Sequence, residues 1–130
     1  MQLNGFPQNA ECDMHSGAPK EFEAAGGFVT IRFNVEPKTE THEEGGEPVQ
    51  VGYKYSEIHF AHDAHKDIKG EAKRRIINAM YDHDDEEALK HQADAVAAKI
   101  VSDPQAKARY NAFLQFRADI DTMLNELVIE

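Results

Sequence analysis

A single cysteine, no tryptophan and no long apolar run set the first limits on this chain of 130 residues. Cys12 stands alone, so no intrachain disulfide can form, and the even cysteine spacing of a secreted scaffold is missing. The first residues, Met1-Gln2-Leu3-Asn4-Gly5-Phe6-Pro7, offer neither a basic segment nor an apolar one. The expectation is a chain not secreted through a signal peptide, with a reducing cytoplasm as the default compartment. No stretch approaches the roughly 20 apolar residues of a membrane span, so no membrane is expected among its partners.

Basic residues are scarce as well. Lys and Arg number 14 against 24 Asp and Glu, a formal charge of −10, and neither half of the chain is basic. A phosphate backbone would find no cationic footprint, which argues against nucleic acid as a partner. Acidity of this kind serves solubility and repulsion between copies. With 7 Phe and 4 Tyr, the core is expected to consist mostly of aliphatics and those few rings. The length fits one domain, 1–130.

What is present is a division between strand-like and helix-like patterns. Residues 1–27 are rich in Gly, Pro and Asn and read as a loop-rich arm, with a short helical turn near Pro19 to Ala25 and with Phe6 and Phe22 as anchors. From Phe28 to Val35 the apolar residues Val29, Ile31, Phe33 and Val35 alternate with Thr30, Arg32 and Asn34, the signature of a half-buried strand. The first set is expected to face the core and Thr30 and Arg32 to face outward. Residues 36–48 lack apolar side chains and form a mobile acidic loop. A second strand spans 49–60; Val49, Val51, Tyr53 and Tyr55 keep one phase, whereas Ile58 and Phe60 take the other. That change places a bulge or break near Ser56-Glu57.

Helical spacing takes over from 67. Asp67 caps a helix through Met80, and Asp84 or Asp85 caps a second with the stripe Leu89, Ala93, Val96 and Ile100. After the break at Ser102-Asp103-Pro104, a third runs to Leu127 with Tyr110, Phe113, Ile120, Leu124 and Leu127 on a 3-4 repeat. The short connection makes helices two and three an antiparallel hairpin. The fold class is α+β: an antiparallel two-stranded β-ribbon (28–60) packed on a C-terminal array of three helices (67–127).

Candidate chemistry is sparse. His59, His62 and His65 form an H-x-x-H-x-x-H string, and imidazoles are good transition-metal ligands. The string crosses from strand to helix cap, so surface and turn histidines are the first expectation and a metal site the alternative. The acids from Asp82 to Glu87 lack the glycine of a calcium loop and suit a helix N-terminus instead. Lys73-Arg74-Arg75 spread around a helix rather than forming one patch. Cys12 and His15 lie close in sequence, without a visible group to orient the base. No phosphate-binding glycine loop or nucleophile elbow occurs, so no enzyme activity and no cofactor are expected.

Residues 67–127 carry Arg74-Arg75-Ile76 in the first helix and an Ala-rich second helix (Ala93, Ala95, Ala97, Ala98). The third runs from Tyr110-Asn111-Ala112-Phe113 to Ile120. This arrangement resembles the C-terminal helical part of small phage tail-fibre accessory proteins. The resemblance covers less than half of the chain and carries over no functional residue. It implies a virion or assembly component working by protein contacts, located in the virion or the host cytoplasm.

The leading expectation is therefore a non-enzymatic protein-protein interaction component, a phage or prophage virion structural or accessory protein with other protein subunits as its partners in a homo- or hetero-oligomer. Its candidate interface residues are Phe116 and Met123, a second apolar strip on the third helix, Arg117, a charge inside an apolar seam, and Tyr53 and Tyr55 on the ribbon. A metal-binding protein or metal-dependent enzyme using the His59–His65 string is the alternative. A third reading is an acidic regulator that masks a basic partner.

Overall fold

The computed structural model describes residues 1–62, 67–98 and 104–129. It shows an α+β fold, but the sheet has four strands rather than two. Strands β1 (Ala10–Asp13), β2 (Phe22–Ala25), β3 (Phe28–Glu40) and β4 (Val49–Ala61) precede helices α1 (Ile68–Met80), α2 (His83–Ala97) and α3 (Pro104–Asn125). All strand pairs are antiparallel, in the order β1-β4-β3-β2.

The two added strands come from the arm that reads as loop. Phe22–Ala25 is a strand and not a helical turn, because Gly26-Gly27 folds it back onto Phe28. Both glycines have positive φ (61° and 80°), the backbone that a two-residue hairpin turn requires. At the other edge, β1 lies so close to β4 that a Cβ at Gly52 would collide with the Cys12 carbonyl. Only glycine permits that approach.

The central hairpin is also longer than its apolar pattern. β3 continues through Glu36-Pro37 to Glu40, which pairs with Val49, so the connecting loop is 41–48 rather than 36–48. Cross-strand charges support the extension: Lys54 Nζ lies 3.7 Å from Glu36 and Lys38 Nζ 3.0 Å from Glu11. β2 has ended by this point, so Pro37 lacks its N–H on an open flank where no ladder bond is lost.

Val29, Ile31 and Phe33 face the helices and are buried, as their alternation predicts. No irregularity falls at Ser56-Glu57; the register shifts instead opposite Tyr55 and again between Lys38 and Thr39. Phe33 pairs with Ser56 and Glu36 with Lys54, so Asn34 and Val35 together oppose Tyr55. Asn34 takes φ 55°, a left-handed conformation that Asn tolerates better than most residues. The bulge puts Asn34, not Val35, in the interior; Val35 is only half-buried.

Asn34 then organises the N-terminal arm. Its carboxamide oxygen accepts from Leu3 N–H at 2.6 Å, and its amide donates to the Leu3 carbonyl at 2.9 Å and to Ser56 Oγ at 3.2 Å. Ser56 Oγ donates in turn to the Pro7 carbonyl at 2.8 Å. These bonds carry Leu3 and Phe6 into the core, where Phe6 meets Phe33 at 5.2 Å between ring centroids.

One core joins the inner sheet face, the arm, α1 (Ala72, Ile76, Ile77) and α3 (Phe113, Phe116, Ile120, Met123, Leu124), with Leu127 just beyond. Asp67 caps α1 by accepting from the Lys69 and Gly70 amides. α2 starts earlier than its acids suggest: Asp82 is the cap and Asp85 completes a reciprocal capping box. Leu89, Ala93 and Val96 are each half-buried, and Arg109 of α3 donates to Gln92 of α2 at 3.2 Å. Ile100 and the Ser102-Asp103 break lie outside the described residues. Ile31 is fully buried, so Ile31→Ala should cost about 2–5 kcal/mol. An unchanged urea midpoint would show that β3 does not line the core.

Candidate functional site

Alternation along β3 and β4 sends one set of side chains to the helices and the other to the opposite face of the sheet. On that opposite face, Arg32 sits between Glu23 of β2 at 3.2 Å and Glu57 of β4 at 3.0 Å. Its guanidinium also lies over the Tyr55 ring, 5.9 Å from the centroid. Burial opposes the Arg32 charge, but hydrogen bonds and attraction from Glu23 and Glu57 outweigh it and raise its pKa. One step along the strands, Thr30 Oγ1 and His59 Nδ1 are 2.7 Å apart. The His59 ring stacks on Phe28 with centroids 5.1 Å apart, and Phe28 remains 47% exposed.

The structure therefore gathers Tyr55 into a polar lattice on the outer sheet face, where Arg32 covers it and leaves it 7% exposed, so as a surface contact for a partner it is corrected to a covered residue. Tyr53 shares its face and is half-buried opposite Cys12. Burial pushes the Tyr55 phenol above its ordinary value of 10.0; Glu57 and Cys12 act in the same direction and Arg32 opposes them. The fold thus favours the neutral phenol. Its stabilising contribution is complete below the unfolded pKa and falls as pH rises from there through the raised folded value. Urea titrations above about pH 10 should show a steeper stability loss for the wild type than for Tyr55→Phe. Parallel curves would contradict the burial argument.

Two of the three α3 candidates are not at the surface. Phe116 is 9% exposed and Met123 2%. Both strips of α3 are buried within the chain, because the sheet and the Leu3–Phe6 arm cover what the small stripe of α2 cannot. As surface contacts for a partner, Phe116 and Met123 are corrected to core residues. Arg117 is exposed, and its guanidinium lies over the Phe113 ring at 5.9 Å. The charge in the seam is accommodated by a long stem that reaches the surface.

The histidines diverge. His59 belongs to the outer sheet face with Thr30, whereas His62 turns to α1, its Nδ1 3.7 Å from Glu71 Oε2. A spacing of three along an extended chain separates side chains that the same spacing on a helix would unite. His65 lies outside the described residues. Among the described residues, no three His, Cys, Asp or Glu side chains are grouped to hold a metal ion. No described helix is long and apolar enough to cross a membrane.

Asn34 and the open edge of β2 escape sequence reasoning. A polar residue in the polar phase of a strand gives no sign that a bulge will turn it inward. The signal for β2 was Gly26-Gly27 immediately before a clear strand, a hairpin turn in waiting. Comparison with protein families, with curated proteins and with solved structures finds no match to this chain.

Proposed function

We propose that the chain is a non-enzymatic protein-protein interaction component acting in an oligomer, of the phage or prophage virion accessory kind that its helical part resembles. The observation that supports this reading is the one-sided packing of the sheet. α1 and α3 share a core with one face. The other face, with its Arg32-Glu57-Tyr55 lattice and the exposed Phe28, shares no core cluster with the described helices, and β1 and β2 stand at the two edges. Unpaired edges and uncovered faces are the surfaces by which strands recruit other chains. Native mass spectrometry, first of the protein alone and then with the products of neighbouring genes, tests the proposal. Complexes of defined stoichiometry are expected. A monomer in every mixture would overturn it.

A further inference from the structure

Hydrogen-bond direction at β2 is fixed by its register. Arg32 N–H donates to the Glu21 carbonyl at 2.9 Å, and Phe22 pairs with Ile31 and Ala24 with Val29. In an antiparallel ladder, bonded and non-bonded pairs alternate. Glu21, Glu23 and Ala25 therefore spend their backbone groups on β3, while Phe22 and Ala24 aim N–H and C=O away from the sheet. No backbone hydrogen bond among the described residues ends on these outward groups. They line a groove of about 670 Å³ formed by the Lys20–Ala25 stretch together with Val128. Val128 is 70% exposed, the most exposed large apolar side chain among the described residues.

The groove is lined in two ways. Its apolar lining is Phe22, Ala24 and Val128, with Lys20 at the end of the stretch. Its acidic lining is Glu21 and Glu23, whose side chains remain 51% and 47% exposed although Glu21 lies 3.7 Å from the Met1 amino group and Glu23 holds Arg32. A second copy of β2 is a poor occupant. If Phe22 bonds with Ala24 of the copy, Glu23 stands opposite Glu23. If Phe22 bonds with Phe22, Glu21 stands opposite Glu23; if Ala24 bonds with Ala24, no like charges meet, but Phe22 falls opposite Gly26 of the turn and the overlap shrinks to the end of the strand. Like charges placed directly across a ladder are destabilising. A strand with a basic residue at each of those places meets no such penalty, and its intervening apolar residues meet Phe22, Ala24 and Val128.

We infer that the β2 edge receives an extended segment of a partner protein, with alternating basic and apolar side chains, as an added antiparallel strand. This rests on the interaction reading above and names the partner's chemistry. Main-chain bonds supply affinity and the alternating side chains supply specificity.

The probe is a short peptide of alternating Lys and Val, titrated calorimetrically into the full chain, beside a block peptide of the same composition. Ala24→Pro removes an outward N–H and leaves the β3 ladder intact, since Pro is compatible with the open side of an edge strand. It should weaken binding of the alternating peptide about tenfold. Glu21→Gln with Glu23→Gln, which leaves the backbone untouched, should weaken it too and flatten its salt dependence. Equal binding by wild type and both variants would overturn the inference, as would equal affinity for the block peptide or self-association through β2. If native complexes form and survive both variants, this inference falls while the interaction reading stands; if no complex forms at all, that reading falls first.

Discussion

Replacing Phe116 and Met123 together with Asp should leave the chain without a cooperative unfolding transition and strip its far-ultraviolet spectrum of most helical signal. Both side chains point into the core shared by the sheet, α1 and the Leu3–Phe6 arm. Phe116 also meets the Tyr81 ring at 5.9 Å. A carboxylate there loses its hydration and gains no cation, and the penalty is several kcal/mol for each even after relaxation. Two such penalties approach or exceed the roughly 5–15 kcal/mol that holds a domain of this size together. A double variant that stays folded but loses an oligomer would instead restore this strip as an interface. Circular dichroism and light scattering on one sample separate the outcomes.

The second large effect is expected at Asn34. Asn34→Ala withdraws the partner of the Leu3 N–H and C=O and one partner of Ser56 Oγ. It also forces alanine into φ 55°. Buried groups left without partners cost about 1–3 kcal/mol each, and the left-handed backbone adds about 1–2 kcal/mol. A loss on the order of 3–5 kcal/mol in urea denaturation is expected. Asn34→Gly relieves the backbone strain but not the lost bonds, so it should recover about 1 kcal/mol of that loss. Identical losses in the two variants would mean that the side-chain network carries the whole effect. No loss in either would mean that the arm is held by Leu3 and Phe6 alone.

These two sites show where the sequence was legible and where it was not. The alternation of Val29, Ile31 and Phe33 depends on local geometry alone, and so does Asp67 as a cap; both were readable. The phase change between Tyr55 and Ile58 was readable too. It marks a change of face rather than a bulge in β4: Tyr55 lies on the outer face with Arg32 and Ile58 on the inner one, and one strand alone does not show which face is covered. β1 and β2 are four residues each, too short for periodicity to outweigh their Gly- and Pro-rich surroundings. The misassigned surface on α3 has the same origin. The second apolar strip of α3 is visible in its spacing, but its cover comes from Leu3, Phe6 and the sheet, all distant in sequence. The polar lattice around Tyr55 needs β2, β3 and β4 side by side, so its residues were named only in part.

α2 has a consequence for how the molecule opens. None of its described side chains is fully buried, and its main neighbour is α3. Detaching it would expose little apolar surface, and a helix of 15 residues on its own is marginal in water. Its amides therefore belong to a separate, low-energy cooperative unit. Deuterium should enter α2 through sub-global opening long before it reaches β3, β4 or the inner face of α3, whose exchange waits for the whole domain to unfold.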